Sequence, residues 1–131
     1  MESGGQAPKV YFSDTGLVKG SDGVRFENAV AVMLTKHAQF LSDTSGREVG
    51  LHYIRTKDGA EVDFCLSTDG TLTQLVECKL ADPSPHRALL RFARQFGEAE
   101  AVQIVRDARL EERRGPIGVV PAADWLARLQ A

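Results

Sequence analysis

The sequence predicts an α/β domain in which helices flank a central mixed sheet. The first observation is segment order: an amphipathic helix, three short strands joined by hairpin-type turns, a second helix and a further apolar strand. The second is composition, since 131 residues with 43% hydrophobic and 26% charged are typical of one globular domain. We therefore expect a flexible leader over residues 1–8 and a single domain with an αβββαβ core over residues 9–131.

The first helix is predicted over residues 22–41, after a short extended segment at Lys9–Leu17, with Ser21 or Asp22 as its N-cap. Glu27 falls inside the apolar arc of this helix, and a carboxylate that points into a core needs a partner. Alternatively, Glu27 lies close enough to the helix start for the helix dipole and water to stabilise it. The predicted apolar arc comprises Val24, Phe26, Val30, Ala31, Met33, Leu34, Ala38, Phe40 and Leu41.

Three antiparallel strands are predicted to follow the helix. The first covers residues 50–55, and the Asp-Gly pair in the next turn, residues 56–59, is a strong hairpin signal. The second covers residues 60–66, and a turn at residues 67–71 leads into the third at residues 74–80. These strands form the centre of the predicted sheet.

Charged residues interrupt both of the later strands. Side chains alternate along a strand, so Glu77 and Lys79 share one face, about 6.8 Å apart. Asp63 lies on the same face if it stands opposite Glu77, which requires a loop of three or five residues or a bulge. A tight two-residue turn alone would place Glu77 on the other face. The expected apolar face then consists of Val62, Phe64, Val76 and Cys78.

The second half of the chain supplies the remaining elements. A proline-containing break with Asp82 or Ser84 as N-cap precedes a helix over residues 85–97. The strand at residues 101–105 follows this helical crossover and is therefore expected to run parallel to the Glu77 strand. Another strand at 117–120 and a closing helix over 121–129, in which Trp125 packs on the core, complete the prediction.

The paired carboxylates indicate a metal site. Two carboxylates about 4 Å apart repel by about 4 kcal/mol at an effective dielectric constant of about 20. A divalent cation relieves this repulsion, and Mg²⁺ is usually bound through one or two protein carboxylates together with water and phosphate oxygens. The spacing of Asp63 from Glu77-x-Lys79 resembles the PD-(D/E)xK nuclease superfamily.

The resemblance extends to the order of the elements, because αβββαβ is the core of the restriction-endonuclease-like fold. That superfamily keeps an acid on the first helix, Asp on the second strand and Glu-x-Lys on the third. The resemblance implies that Asp63, Glu77 and the backbone carbonyl of Cys78 bind Mg²⁺ or Mn²⁺. It also implies that Glu27 holds a metal-bound water or a second ion, while Lys79 orients the attacking water or offsets transition-state charge.

Several longer stretches resemble a narrower family. These are Lys9–Leu17, Phe26–Asn28, Tyr53–Phe64 and Val76–Lys79. They are similar to the C-terminal nuclease-like domain of unknown function that follows the P-loop ATPase module in many prokaryotic ATPases. The resemblance implies an ATPase partner, and the chain itself contains no G-x-x-x-x-G-K-[ST] motif.

The resulting expectation is a Mg²⁺-dependent nuclease that hydrolyses phosphodiester bonds of nucleic acid, with DNA as the favoured substrate. The alternatives are a non-catalytic nucleic-acid-binding module with a vestigial site, or a domain that docks on an ATPase through an ion-pair network around Lys79. A net charge of −2 argues for a local contact patch, not a broad one. The candidate contacts are Arg55, Lys57, Arg87, Arg91 and Arg94, although the three helical arginines also fit a solvated face.

Other classes of site and location are excluded or left open. No apolar run approaches ~18 residues and no signal-peptide pattern is present, which favours a cytoplasmic protein without a membrane partner. Cys65 and Cys78 are predicted on opposite sheet faces, so we expect no disulfide, as fits a reducing compartment. A homodimer remains open. No histidine metal site is predicted from His37, His52 and His86, because their spacing does not match a ligand set.

Overall fold

A computed structural model describes residues 22–129, and these form three helices and a six-stranded mixed sheet. The predicted leader at residues 1–8, the extended segment Lys9–Leu17 and the candidate N-cap Ser21 lie outside the described residues. The helices are α1 (Asp22–Ser45), α2 (Arg87–Gln95) and α3 (Ala122–Leu129), and the strands are β1 (Val49–Arg55), β2 (Glu61–Thr68), β3 (Thr71–Lys79), β4 (Glu100–Val105), β5 (Glu112–Arg114) and β6 (Ile117–Pro121).

The sheet order is β1-β2-β3-β4-β6-β5. Strands β1, β2 and β3 pair antiparallel, whereas β4 runs parallel to both β3 and β6. The predicted α/β class, the αβββαβ order and the parallel β3–β4 pair are confirmed. Strand β5, which pairs antiparallel with β6, was not predicted because Glu112–Arg114 is short, charged and exposed and lacks apolar alternation.

Two apolar clusters cover the two faces of the sheet. One lies beneath α1 and α3 and the other beneath α2. Trp125 packs in the first cluster, as predicted. Cys65 and Cys78 lie in different clusters, and both are free thiols, so the prediction of opposite faces and no disulfide is confirmed.

Helix α1 is longer than its buried stripe. The helix contains 24 residues, but its buried positions run only from Val30 to Ala38. Val24 and Phe40, which were predicted in the apolar arc, are exposed, and both lie outside this buried stretch of the helix. In the described part of the chain, no helix is long and apolar enough to cross a membrane.

The β2–β3 turn combines a tight hairpin with a bulge. Asp69 and Gly70 have φ values of 51° and 86°, the left-handed conformation that a two-residue turn requires. The register shifts between Leu66 and Ser67, and Phe64 consequently pairs with Val76. Of the connections predicted to bring Asp63 opposite Glu77, the bulge is the one observed.

A second irregularity falls at Asp63 itself. Between the pairs His52–Cys65 and Ile54–Val62, β2 contains one residue more than β1. Bulges bend a strand and redirect a side chain. The extra residue also moves Val62 to the α2 side, so the prediction that Val62 shares a face with Phe64, Val76 and Cys78 is wrong.

Helix α2 begins later than predicted. Its N-cap is His86, which makes no side-chain capping bond, so the prediction of Asp82 or Ser84 as N-cap is wrong. The carboxylate of Asp82 instead accepts a hydrogen bond from the backbone N–H of Ser84 at 2.9 Å. His86 itself has an extended backbone and directly precedes the first helical residue.

Candidate active site

Asp63 and Glu77 face each other where the β2–β3 backbone pairing stops. The ladder reaches Phe64–Val76, and the next contacts are made by side chains. Oδ2 of Asp63 accepts the N–H of Cys78 at 2.9 Å, and Oε1 of Glu77 accepts the N–H of Asp63 at 3.1 Å. Each carboxylate is thus fixed by the backbone of the opposite strand. The N–H and C=O of a strand residue point to the same neighbour, so the Cys78 carbonyl also faces β2.

Two nitrogen groups stand beside the second oxygen of Glu77. Lys79 Nζ lies 4.0 Å and His86 Nε2 lies 3.6 Å from Glu77 Oε2. The Glu77 side chain is 7% exposed, whereas the side chains of Lys79 and His86 are 30% and 28% exposed. The site is therefore a buried carboxylate flanked by donors that remain accessible from solvent.

Burial makes both carboxylates difficult to ionise. Burial first, and then the negative charge of Asp63, raise the pKa of Glu77 to about 8. Burial also raises the pKa of Asp63, although the Cys78 N–H and the neighbouring cations oppose the shift. Together, the two acids form a site in which added positive charge would be stabilising.

Glu27 approaches this pair from helix α1 but does not lie in the core. The residue is exposed because the buried stripe of α1 begins only at Val30. Water therefore reaches Glu27, as in the second interpretation. Its carboxyl is still partly desolvated, and this, with the charges of Asp63 and Glu61, raises its pKa to about 7. Glu27 and Asp63 line a small cavity of about 100 Å³.

An open groove of about 580 Å³ lies beside the carboxylate pair, between the β1–β2 turn and helix α2. Arg91 Nη1 lies 3.3 Å from Asp58 Oδ2, so an exposed ion pair joins the two walls. Arg87 also lines the groove and forms no ion pair within residues 22–129. The groove is lined by Asp58, Gly59, Ala60, Glu61, Asp63, Glu77, His86, Arg87, Ala88 and Arg91.

The other predicted nucleic-acid contacts lie farther from the groove. Arg94 is exposed on α2 and is not part of the groove lining. Arg55 pairs with Glu61 at 3.3 Å and lines the smaller cavity with Glu27. Lys57 is exposed in the β1–β2 turn and lines neither cavity. The structure therefore brings Arg87 and Arg91, of the five basic candidates, to the groove beside Asp63 and Glu77.

The donor set suits a hard cation that keeps much of its water. Among residues 22–129, no group of three or more His, Cys, Asp or Glu side chains could hold an ion alone. Asp63 and Glu77 each have one oxygen bound to backbone, and no hydrogen bond within the described residues involves Asp63 Oδ1. Two carboxylates, a carbonyl and water match the ligation that Mg²⁺ prefers, so the residues fit such an ion.

Comparison with known families shows which domain family the chain belongs to. Residues 22–125 match the family described as Domain of unknown function (DUF4143). The chain belongs to the DUF4143 family. No curated protein and no solved structure gives a significant match. The matched span contains all four candidate catalytic residues, and the predicted resemblance to a family of domains of unknown function is confirmed.

Two site residues of this DUF4143 domain escaped sequence analysis. His86 lies beside Glu77 although it is nine positions away in sequence, in a loop whose path the sequence did not reveal. Gln103 is 0% exposed in β4 and accepts the backbone N–H of His86 at 2.9 Å. The sequence did contain one signal for Gln103: it is a polar residue inside the otherwise apolar strand at residues 101–105. Of the other histidines, His52 contacts Ser67 Oγ at 2.7 Å on β2.

Proposed function

We propose that this DUF4143 domain is a metal-dependent phosphodiesterase that cleaves nucleic acid, with DNA as the favoured substrate. The observation that carries the proposal is the reciprocal bonding of Asp63 and Glu77, which holds two buried carboxylates side by side beside an open groove. Keeping two acids with raised pKa values together costs folding free energy. A cation site would explain that cost, because a bound ion would offset the repulsion between the two carboxylates.

The proposal includes a relation to the PD-(D/E)xK superfamily and its restriction-endonuclease-like fold. It is supported by the αβββαβ order and by the positions of the acids and the lysine on α1, β2 and β3. The exposure of Glu27 makes it the most peripheral member of this set. We therefore assign Glu27 an indirect role, through water or a second ion, and assign the direct contacts to Asp63 and Glu77.

The proposed chemistry is hydrolysis by water, in which a new P–O bond forms as the bond to the leaving oxygen breaks. Asp63, Glu77 and the Cys78 carbonyl would hold Mg²⁺ or Mn²⁺, which supplies Lewis-acid polarisation of the phosphoryl oxygen and a more acidic water. Lys79 would place its ammonium beside the phosphate, where negative charge grows in the transition state. Arg87 and Arg91 would hold flanking phosphates in the groove.

The proposed substrate follows from the local distribution of charge. Acidic residues outnumber basic ones only slightly, 18 to 16, and Arg87 and Arg91 lie together on the α2 wall of the groove. Such a patch would bind a short stretch of phosphate backbone, with an affinity that falls as salt rises. We also propose that a P-loop ATPase domain is the natural partner, which would present the substrate to this groove.

The direct test is cleavage of supercoiled plasmid, single-stranded DNA and single-stranded RNA in the presence of Mn²⁺, with EDTA as the blank. The wild-type protein should nick or degrade at least one substrate only with the metal. Asp63→Ala should be inactive and should not bind Mn²⁺ in calorimetry. Metal binding without cleavage of any phosphodiester substrate would contradict the proposed activity.

Replacement of Lys79 separates binding from chemistry. Lys79→Ala removes a charge next to the reacting phosphate, and loss of one such group typically lowers kcat by about 10²–10³-fold. The same change should not weaken Mn²⁺ binding, because the ammonium 4.0 Å from Glu77 Oε2 competes with a cation. Single-turnover cleavage and Mn²⁺ calorimetry measure the two effects. A parallel loss of metal affinity would show that Lys79 maintains the site and does not act in catalysis.

The ion pair across the groove predicts a gain of affinity. Asp58→Asn frees Arg91 to bind phosphate, and an exposed ion pair is weak, so oligonucleotide affinity should rise only about two- to five-fold. Fluorescence anisotropy at two salt concentrations measures the oligonucleotide affinity. The matched control is Asp69→Asn, which removes the same charge from an exposed pair with Arg47 in the β2–β3 turn. An equal gain of affinity in both variants would show that the effect comes only from the change in net charge.

A second candidate function is an interaction domain that docks on an ATPase without catalysis. The observation in its favour is that Lys79 and His86 both approach Glu77 Oε2, so the acid already has cationic or hydrogen-bonding neighbours without a metal. This candidate predicts no Mn²⁺ binding and unchanged function after Asp63→Ala. Calorimetry on the wild-type protein therefore distinguishes the two candidates before any substrate is known.

A further inference from the structure

Gln103 is a fully buried amide with its polar atoms directed at one loop. It lies in β4, where each of the flanking residues 101, 102, 104 and 105 is buried and apolar. Its Oε1 accepts the N–H of His86 at 2.9 Å, and its Nε2 donates to the carbonyls of Ser84 and Asp82 at 2.8 and 3.3 Å. Burying an amide costs free energy unless it is bonded, and here the bonds go entirely to the segment between β3 and α2.

The amide ties an exposed loop to the sheet. Asp82 and Ser84 are exposed residues, yet both direct a carbonyl oxygen to the buried side chain of Gln103. These bonds give the loop a fixed position. Gln103 also pairs in register with Glu77 on the neighbouring strand, so the fixed loop lies directly against the candidate site.

The loop delivers His86 to Glu77. The ring atom Nε2 lies 3.1 Å from the backbone oxygen of Glu61 and 3.6 Å from Glu77 Oε2. A carbonyl oxygen only accepts hydrogen bonds, so Nε2 is the nitrogen that carries the hydrogen. His86 therefore donates to the beginning of β2 and stands within ion-pair distance of Glu77 on β3, at the end of the sheet where backbone pairing between these strands has stopped.

We infer that Gln103 is a positioning residue for the site: it fixes the Asp82–His86 loop so that His86 orients the carboxylate of Glu77. The two oxygens of Glu77 are then held separately, Oε1 by the Asp63 N–H and Oε2 beside His86 and Lys79. A pre-oriented carboxylate binds a cation more tightly than a mobile one. The consequence for metal binding rests on the proposed function, whereas the link from Gln103 to His86 does not.

The test compares Gln103→Met, which keeps the approximate length but removes the amide, with His86→Gln and the double variant. The matched control is Gln74→Met, since Gln74 is also a strand glutamine but contacts Glu100 at 3.5 Å. Long-range ¹H–¹⁵N NMR reports the tautomer and environment of the His86 ring. Calorimetry gives the Mn²⁺ affinity, and thermal unfolding monitors the fold.

Gln103→Met is expected to shift the His86 ring signals and to lower Mn²⁺ affinity about 10-fold or more, the usual range for supporting residues. His86→Gln should lose a similar factor, and the double variant no more than either, because the two residues act in one chain of contacts. Gln74→Met should change neither readout.

A lower unfolding midpoint with unchanged ring signals and affinity would overturn the inference and leave Gln103 a packing residue. Absence of Mn²⁺ binding in the wild type would overturn the proposed function and the role of Gln103 in it, whereas unchanged ring signals overturn the positioning alone.

Discussion

Asp63→Asn is expected to slow cleavage about 10²–10³-fold and to weaken Mn²⁺ binding strongly, while the fold persists. The asparagine oxygen can still accept the Cys78 N–H that Asp63 accepts at 2.9 Å, so the strand geometry is retained. What disappears is one of two negative charges facing the cation. Loss of one such electrostatic contribution costs on the order of 10²–10³-fold in rate, and the measurement is single-turnover cleavage with Mn²⁺ calorimetry on the same samples.

The control for this variant is a neighbouring acid whose side chain is not bonded to the pair. Glu61→Gln removes one charge close by, but Glu61 Oε2 is directed to Arg55 at 3.3 Å. Its effect on Mn²⁺ affinity should be small, since an exposed ion pair contributes about 1 kcal/mol or less. Equal losses in Asp63→Asn and Glu61→Gln would mean that only the general negative field attracts the ion.

The parts of the structure that depend on local pattern could be predicted from sequence. The helix over Asp22–Ser45 and the three antiparallel strands follow from periodicity and turn residues. The placement of Asp63 beside Glu77 followed from charges that an apolar strand would not otherwise contain. The bulge that places them was one of the predicted connections, because a simple Asp69-Gly70 turn gives the wrong face.

The parts that depend on long-range packing could not be predicted. Val62 changes face because of a bulge against β1, and that bulge has no signature in the sequence around it. Glu27 is exposed because it precedes Val30, the first buried residue of α1, which a helical projection does not show. His86 reaches Glu77 through the contacts of Gln103 on another strand. The sequence thus predicts the charged residues at the centre of the site, whereas the contacts that hold them in place depend on the tertiary structure.

The free energy of unfolding of the metal-free protein is expected to fall as the pH rises from about 4.5 to about 8. Glu77 has an ordinary pKa of 4.5 and a folded-state pKa of about 8, with burial as the main cause. Between these values the folded protein keeps a proton that the unfolded chain has released, so raising the pH favours unfolding. Each unit contributes up to about 1.4 kcal/mol, and the loss is complete above the folded-state pKa.

Glu77→Gln should remove the part of this slope that Glu77 contributes, because the amide does not titrate and its oxygen can still accept the Asp63 N–H. Glu27, whose pKa is raised to about 7, should keep its own part of the slope in both proteins. His37 and His52 have lowered pKa values because of burial, and they give the opposite slope below 6.5, but in both proteins. The difference between wild type and variant, from urea unfolding in EDTA at several pH values, therefore isolates Glu77 and the residues coupled to it. Glu98→Gln, at an exposed position in the α2–β4 connection, should keep the wild-type slope.

Addition of Mg²⁺ at pH 8 extends the same argument from stability to function. A ligand that binds only the folded state stabilises it in proportion to the logarithm of its concentration. The wild-type protein should recover several kcal/mol at high Mg²⁺, because the bound ion would favour the ionised form of both carboxylates, whereas Glu77→Gln should recover little. If both proteins lose stability with pH in the same way, or if Mg²⁺ affects neither, the carboxylate pair is not the origin of the cost that a metal site would explain. If Mg²⁺ removes the pH dependence of wild-type stability, the repulsion between Asp63 and Glu77 is the cost that cation binding offsets.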